Sequence, residues 1–347
     1  MCSDLSFLDD KRILVTGGSG TVGYELVETL ALRTHAKAIR VLANDENGLY
    51  CISSLLNAQH NLRFLLGDVR DKARLIRAFE EIDVVFHLAA LKHVDLSEYN
   101  PFESVNTNVI GTENVIEAAI ANNVEKVILT SSDKAANPSS VLGASKLLAE
   151  KLITAANIMR GQKKTIFSSV RFGNVLGSRG SVLHLIKQQL QYKKRVSLTH
   201  PDMTRFIMHI EDANNLLLRT AHLMQGGEVF VFKMHAVKII DLFSTILEHL
   251  SDPNKDNFDE TKFDIIGSRP GEKLHEDLYT EEESCRTLEL SNMYVIIPNI
   301  PDLTKNLTEY YVRLGAKIVP IATYSSKHAG NILDKKGISE LISDIKL

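Results

Sequence analysis

The chain is short of several things. Only three of its 347 residues are cysteine. Cys2, Cys51 and Cys285 are scattered and form no CxxC pair. They supply neither a disulfide framework nor a zinc site, which favours a reducing compartment. Excess positive charge is missing: 40 Lys and Arg face 43 Asp and Glu, for a formal net charge of −3. Nucleic-acid binders are usually strongly basic, so no nucleic-acid partner is expected. No apolar stretch approaches the roughly 18 residues of a membrane span. The opening MCSDLSFLDDKR has neither the basic region nor the apolar run of a secretory signal. Fixed-period repeats and low-complexity tracts are also absent. With 44% hydrophobic and 24% charged residues, the composition is that of a globular domain. The expectation is a cytoplasmic globular protein with no membrane span.

What is present is alternation. β-branched runs at Arg12–Thr16, Ala38–Leu42, Arg63–Leu66, Val84–Leu88, Lys126–Thr130 and Thr165–Arg171 read as strands. Helical patterns at Tyr24–Leu32, Ala73–Glu80, Phe102–Asn122 and Ser145–Arg160 separate or follow them. Strand and helix repeated in this way imply a parallel sheet covered on both faces. Later segments predict helices at Asp212–Met224 and Ile239–Leu250 and strands at Phe263–Ile266 and Asn292–Pro298. Ser251–Thr261 is polar and reads as a surface loop, and Gly337–Leu347 as a short amphipathic helix. The fold class is therefore α/β: a Rossmann-type, doubly wound parallel sheet with a smaller α/β C-terminal substrate lobe. The expected division gives 1–172 and about 205–240 to the cofactor domain. It gives 173–204 and about 241–300 to the lobe, and 301–347 to an extension.

The strongest local signal is Thr16-Gly17-Gly18-Ser19-Gly20-Thr21-Val22-Gly23, directly after a buried strand and opening a helix. Glycines there let the backbone approach a pyrophosphate, and the helix N-terminus adds donors. A dinucleotide cofactor is expected on Gly17, Ser19, Gly20, Thr21, Val22 and Gly23. An acid for the adenine ribose belongs about 20 residues further on. That position is Ala43, with Asp45 close behind and Arg40 the only nearby base before it. The choice of NAD or NADP stays open. Asp68 and Val69, after the third strand, suit the adenine. Ala89 and Ala90, after the fourth, leave room for the cofactor backbone.

In order, TGGSGTVG, GDVRD, HLAALKHVDLSEYNP, NVIGT, SSDKAANPSSVLGASK, RFGNVLGSRGSV, PDMTRFIM and RPGEKLHEDLYT run along residues 10–300, with YSS at Tyr324–Ser326. Together they resemble the extended short-chain dehydrogenase/reductase superfamily, in the polysaccharide-biosynthesis branch that holds the UDP-N-acetylglucosamine 4,6-dehydratases. The resemblance implies a UDP-sugar substrate, a tightly bound NAD or NADP regenerated each turnover, and a homo-oligomer. It implies 4,6-dehydration to a 4-keto-6-deoxy hexosamine for surface polysaccharide or glycan synthesis. The rivals are a UDP-sugar 4-epimerase of the same fold and a non-catalytic cofactor-binding regulator.

The superfamily's Tyr-x-x-x-Lys is broken here. Lys146 is present and is implied to bind the nicotinamide ribose, but the Tyr position holds Leu142. Leucine cannot exchange a proton. Leu142 is closer to the C5-retaining members of the branch than to the inverting ones. The compensating groups are sought in Ser132-Asp133-Lys134, which resembles the Thr-Asp-Glu trio of related dehydratases. Dehydration takes a hydride from C4, a proton from C5 and a hydroxyl from C6, then returns the hydride to C6. An adjacent acid and base serve this if their pKa values are pushed apart. The expected roles are Asp133 as acid at C6, Lys134 as base at C5, and Ser132 or Asp133 moving the C4 hydroxyl proton. Lys134 then has to be partly neutral, through burial or through nearby Lys146.

For the substrate, Arg205 and Arg269 are the candidate phosphate forks. Glu272 is a candidate acceptor for ribose hydroxyls. Asn174, Lys92 and His93 are candidates to reach the phosphates or the sugar. No metal is expected, because His87 and His93 come without a carboxylate cluster of ligand spacing. Lys134→Ala is expected to abolish dehydration and leave fold and sugar-nucleotide binding intact. Normal turnover by that variant would remove Lys134 from the reaction.

Overall fold

The structure, a computed structural model, describes residues 4–178, 186, 188, 189, 195–250, 263–328, 330 and 332–343. Its body is one large sheet. Strands β1 (Arg12–Thr16), β2 (Ala38–Ala43), β3 (Leu62–Leu66), β4 (Val84–His87), β5 (Lys126–Thr130) and β6 (Ile166–Arg171) lie parallel in the order β3-β2-β1-β4-β5-β6. Ile13, Leu14 and Val15 on β1 have no exposed surface, as a strand covered on both faces requires. The order reverses between β1 and β4. Ligands of such sheets bind outside the carboxyl ends of the strands at that point.

Helices α1 (Thr21–Arg33), α2 (Glu46–Leu55), α3 (Lys72–Ala78), α4 (Val94–Tyr99), α5 (Pro101–Ser104), α6 (Gly111–Ala121) and α7 (Val141–Met159) fill the connections. The helix expected over Phe102–Asn122 is not continuous, because a π-helical turn at Val105–Ile110 interrupts it. In that turn the Asn108 side chain faces inward, bonding Leu91 backbone and the Ser145 hydroxyl of α7. Helix α7 starts at Val141, four residues before the expected Ser145. The Ser140 hydroxyl caps it by accepting the Gly143 N–H.

The strands cut across the expected domain division. β7 (Asn174–Val175), β9 (Thr204–Met208) and β11 (His235–Lys238) form a separate sheet in the order β11-β9-β7, although 205–240 were assigned to the cofactor body. β8 (Val196–Leu198) pairs with β12 (Phe263–Ile265). β10 (Val229–Phe232) continues the main sheet beside β6. Beyond it lie β15 (Met293–Ile296), β14 (Thr287–Glu289) and β16 (Lys317–Ile318), from segments assigned to the lobe and the extension. The reason is burial: Leu288, Met293, Val295 and Ile296 need a core, and the free edge of β10 offers one. β13 (Asp277–Tyr279) pairs antiparallel with β17 (Tyr324–Ser325). Helices α8 (Ile210–Leu223) and α9 (Ile239–Leu250) match the expected periodicity. The Ser251–Thr261 loop lies outside the described residues. The C-terminal helix spans Lys335–Ser343, burying Ile338 and Ile342, and 344–347 also lie outside the described residues.

One buried ion cluster ties these parts together. Arg171, at the end of β6, has no exposed surface. Its guanidinium donates to both Glu150 oxygens on α7, at 3.1 and 2.7 Å, and to Glu283 at 2.9 and 3.1 Å. It also donates to the Leu278 carbonyl on β13 at 2.8 Å. Removing one partner of such a group leaves uncompensated buried charge. Arg171→Met is therefore expected to cost roughly 3–5 kcal/mol, read as a lowered midpoint in urea unfolding. A change below about 1 kcal/mol would show the cluster to be dispensable.

Candidate active site

At the carboxyl edge of the sheet the turn after β1 is pressed against the segment after β4. Gly17 has φ +69°, and a Cβ there would lie 2.6 Å from the Ala89 nitrogen. A Cβ on Gly23 would overlap the Gly17 carbonyl. Helix α1 begins at N-cap Gly20 with no capping side chain, and Thr21 and Val22 form its first turn. Ser19 is buried beside α2, where a Cβ on Gly48 would meet its Cβ at 2.8 Å. The result is a backbone cradle at a helix N-terminus, which fits a diphosphate.

The side chains around this cradle are largely engaged. Asp45 caps α2 by accepting the Gly48 N–H. Arg40 donates to the Ala78 and Glu80 carbonyls, so it is turned to backbone. Asp68 accepts from Arg70 and from Asn44, and the Arg70 hydrogen bonds hold its carboxyl below the usual range. Val69 is buried and its carbonyl accepts from Asn114 of α6. Ala89 and Ala90 are partly exposed at the mouth.

His87 is deeply buried below them. Thr112 donates to the Asn108 carbonyl, which leaves its oxygen to accept from His87 Nε2–H at 3.2 Å. His87 Nδ1 then accepts from Thr16, at 2.7 Å. Burial pulls His87 down to about 3, aided by Lys146, so this ring is neutral.

A short 3-10 turn, Asp133–Ala135, follows β5 and carries the trio. Asp133 is fully buried. Its Oδ1 accepts from the Ser132 hydroxyl at 2.7 Å and from Lys134 Nζ at 2.9 Å, while Oδ2 has no hydrogen-bond partner. Lys134 Nζ also lies 3.6 Å from Glu276 Oε1. Burial opposes the Lys134 charge, but Asp133 and Glu276 outweigh it and raise the pKa above the ordinary lysine value. The expectation of a partly neutral Lys134 is thus corrected for the resting site. The two carboxylates decide its charge, and Lys146 is not among its influences. Lys146, by contrast, donates to the Thr130 carbonyl at 3.0 Å, and burial pulls it down to about 8 against the pull of Glu150. Leu142 is buried at 3% exposure on the first turn of α7.

Glu276, missed in the sequence reading, is 2% exposed. Its signal was present in the motif RPGEKLHEDLYT, where it stands as one carboxylate among several. Strand pairing gives it meaning. The Ser326 hydroxyl accepts the Glu276 N–H at 2.9 Å and meets Thr204 Oγ1 at 2.7 Å. Thr204 Oγ1 also lies 2.8 Å from His275 Nδ1.

The substrate candidates divide. Arg205 is buried, and its guanidinium donates to the Thr204, Leu274 and Lys273 carbonyls, with Glu272 at 3.4 Å. An open phosphate fork is therefore not what it presents, because the loop after Pro270 uses its donors. Glu272 also accepts the Arg269 N–H. Arg269 is exposed and paired with Asp95 of α4 at 2.8 Å. Lys92, His93 and Asn174 are all exposed, His93 at the N-cap of α4 and Asn174 on β7. Lys273 donates to the Ala136 carbonyl, fastening the loop over the 3-10 turn.

The family described as polysaccharide biosynthesis protein matches residues 13–298. This chain belongs to that family. It is an extended short-chain dehydrogenase/reductase of the polysaccharide-biosynthesis branch. An uncharacterized membrane protein of Methanocaldococcus jannaschii is 50% identical over 99% of both chains. Among the described residues no helix is long and apolar enough to cross a membrane. A UDP-N-acetylglucosamine 4,6-dehydratase (inverting) of Campylobacter jejuni is 38% identical, over 96% of this chain and 97% of the relative. A UDP-glucose 4-epimerase of Rickettsia bellii is 36% identical over 97% and 96%. The X-ray structure of Pen from Bacillus thuringiensis has TM-score 0.87 and 38% identity, covering 97% of this chain and 99% of that one. MoeE5 in complex with UDP-glucose and NAD has TM-score 0.62 and 25% identity, covering 75% and 87%.

Within this polysaccharide-biosynthesis fold, one glycine sets where the trio sits. A Cβ on Gly143 would overlap the Lys134 carbonyl and approach the Pro138 Cβ at 3.1 Å. Gly143→Ala is thus expected to push the 3-10 turn from α7 and lower turnover by about 10²-fold, as ångström-scale misplacement does. Far-ultraviolet circular dichroism should stay unchanged. Full activity would show that the turn tolerates displacement.

Proposed function

We propose that this protein is a UDP-N-acetylglucosamine 4,6-dehydratase using a nicotinamide dinucleotide held on the Gly17–Gly23 cradle. The reading is supported above all by the Ser132–Asp133–Lys134 relay, in which one carboxylate oxygen takes both a hydroxyl and an ammonium. When bound, the nicotinamide supplies the hydride acceptor for C4 and the hydride returned to C6. Lys146, buried at the foot of α7, orients its ribose.

The remaining steps belong to side chains. Ser132 passes the C4 hydroxyl proton to Asp133 as C4 becomes a ketone. The ketone acidifies C5, and Lys134 takes the C5 proton in its neutral form. Asp133 gives the stored proton to the C6 hydroxyl, which leaves as water. Lys134 then returns a proton to C5. The sugar loses one water, and both side chains end as they began. Arg269 and the loop it belongs to remain the candidate boundary of the nucleotide pocket, and Lys92, His93 and Asn174 remain candidates to reach the phosphates or the sugar. The product would feed surface polysaccharide or glycan synthesis.

The epimerase reading is favoured by relatives of that name at similar identity. Against it, 4-epimerisation uses no acid and base pair at C5 and C6, and Leu142 leaves the usual tyrosine proton path unfilled. Proton NMR of the protein with UDP-N-acetylglucosamine in heavy water separates the two. A new C6 methyl with deuterium at C5 is expected, and the C5 coupling reports retention or inversion. The C4 epimer without a methyl signal would overturn the dehydratase assignment.

A further inference from the structure

Lys134 has a difficulty that the relay alone does not resolve. It must be neutral to take the C5 proton, yet it lies between two carboxylates that hold it charged. One of these, Asp133, is occupied by Ser132 and by the C4 proton it must store. The other, Glu276, makes no hydrogen bond through Oε2, which is buried. Lys273 Nζ lies 3.7 Å from that oxygen, and Arg205 stands nearby with its donors turned to carbonyls. The Glu276 backbone is clamped on both sides by Ser326, whose N–H donates to the Glu276 carbonyl at 2.9 Å while its hydroxyl accepts the Glu276 N–H. A buried carboxylate on a clamped backbone, left short of hydrogen bonds, is built to take a proton.

We propose that Glu276 is the proton store that switches Lys134 between its charged and neutral forms during elimination. The inference rests on the dehydratase reading and adds a residue to it. The proton moves from Lys134 Nζ to Glu276 Oε1, leaving an amine and a carboxylic acid with no change in net charge. The 3.6 Å separation closes to hydrogen-bond length, roughly 2.7–2.9 Å, by rotation of the Glu276 side chain. The Lys134 lone pair then takes the C5 proton. When Lys134 returns a proton to C5, Glu276 gives its own back to Lys134. Burial raises the Glu276 pKa against the pull of Lys134, which is the direction such a store needs. Glu276 acts through Lys134 and is a positioning residue.

The charged groups facing the Lys134–Glu276 pair are Asp133 on the same turn as Lys134, Lys273 on the segment leading to β13, and Arg205 on β9. The proton passed between Lys134 and Glu276 stays within the pair and is not exchanged with solvent. The neutral pair is then an internal tautomer, and its population does not depend on pH. Formation of the C6 methyl by the wild-type protein should be flat from pH 6 to 7, below the value of about 8 to which burial brings Lys146. In Glu276→Gln, Lys134 must lose its proton to solvent. The rate should fall at least tenfold at pH 7, within the range of a lost acid–base contribution, and rise up to tenfold per pH unit. Glu276→Asp should restore the flat profile in part. UDP-N-acetylglucosamine affinity, read by calorimetry, should stay within about threefold in both variants.

A flat profile in Glu276→Gln, at full or reduced rate, would overturn the proposal, because a structural defect lowers the rate without tilting it. A wild-type profile that itself climbs tenfold per unit would overturn it with no variant needed. Failure of the wild-type protein to form any methyl product is a separate result and removes the dehydratase reading beneath it.

Discussion

An ammonium held between two buried carboxylates is the constraint around which this molecule is arranged. Desolvating three charges costs several kcal/mol per ion unless their geometry is close and their other bonds are met. Meeting them takes four separate stretches of chain. The turn after β5 brings Asp133 and Lys134, and the Phe172 carbonyl, just past the end of β6, holds it by accepting the Asp133 N–H. β9 brings Thr204 and Arg205, β13 follows Glu276, and β17 is continued by Ser326. Arg171 does the same one layer deeper, joining β6, α7 and the C-terminal segment.

Two lysines in this neighbourhood are set apart by what surrounds them. Lys146 has only a backbone carbonyl for its ammonium and a carboxylate one turn along α7, and burial brings it to about 8. Lys134 is less buried by surface but has two carboxylates within reach, and its charge is reinforced. One residue type therefore offers a cation that gives up its proton easily and another that gives it up only to a chosen neighbour. Environments that split like groups are how one site runs acid and base chemistry together.

The parallel body was readable from the chain because each strand is a short β-branched run bounded by polar turns, and β1 and β5 fall where the pattern puts them. The glycine cradle was equally legible, since local spacing carries it, whereas the Ser132–Lys134 trio was singled out by its resemblance to a family motif. Three features were not. The π-helical turn at Val105–Ile110 follows from Asn108 reaching to Leu91 and Ser145, a demand made by tertiary packing. Arg205 reads as an open fork, but two of the three carbonyls that occupy it come from residues some seventy positions later. Glu276 stands in a run of charged residues and is singled out only when Ser326 pairs with it. In each case the deciding partner is distant in sequence, where periodicity is blind.

The seating of Ser326 against Thr204 and Glu276 bears on the order in which the protein comes into being. Synthesis runs from the N-terminus, and domains generally fold as they emerge. The first six strands and the glycine cradle are complete long before residue 326 leaves the ribosome. The clamp on Glu276 and the β13–β17 pair wait for residues 324–326. A nascent chain can therefore acquire its nucleotide-binding half early, while the charged centre stays unassembled until Ser326 has emerged. Reactivity arrives last, in a molecule whose scaffold already stands.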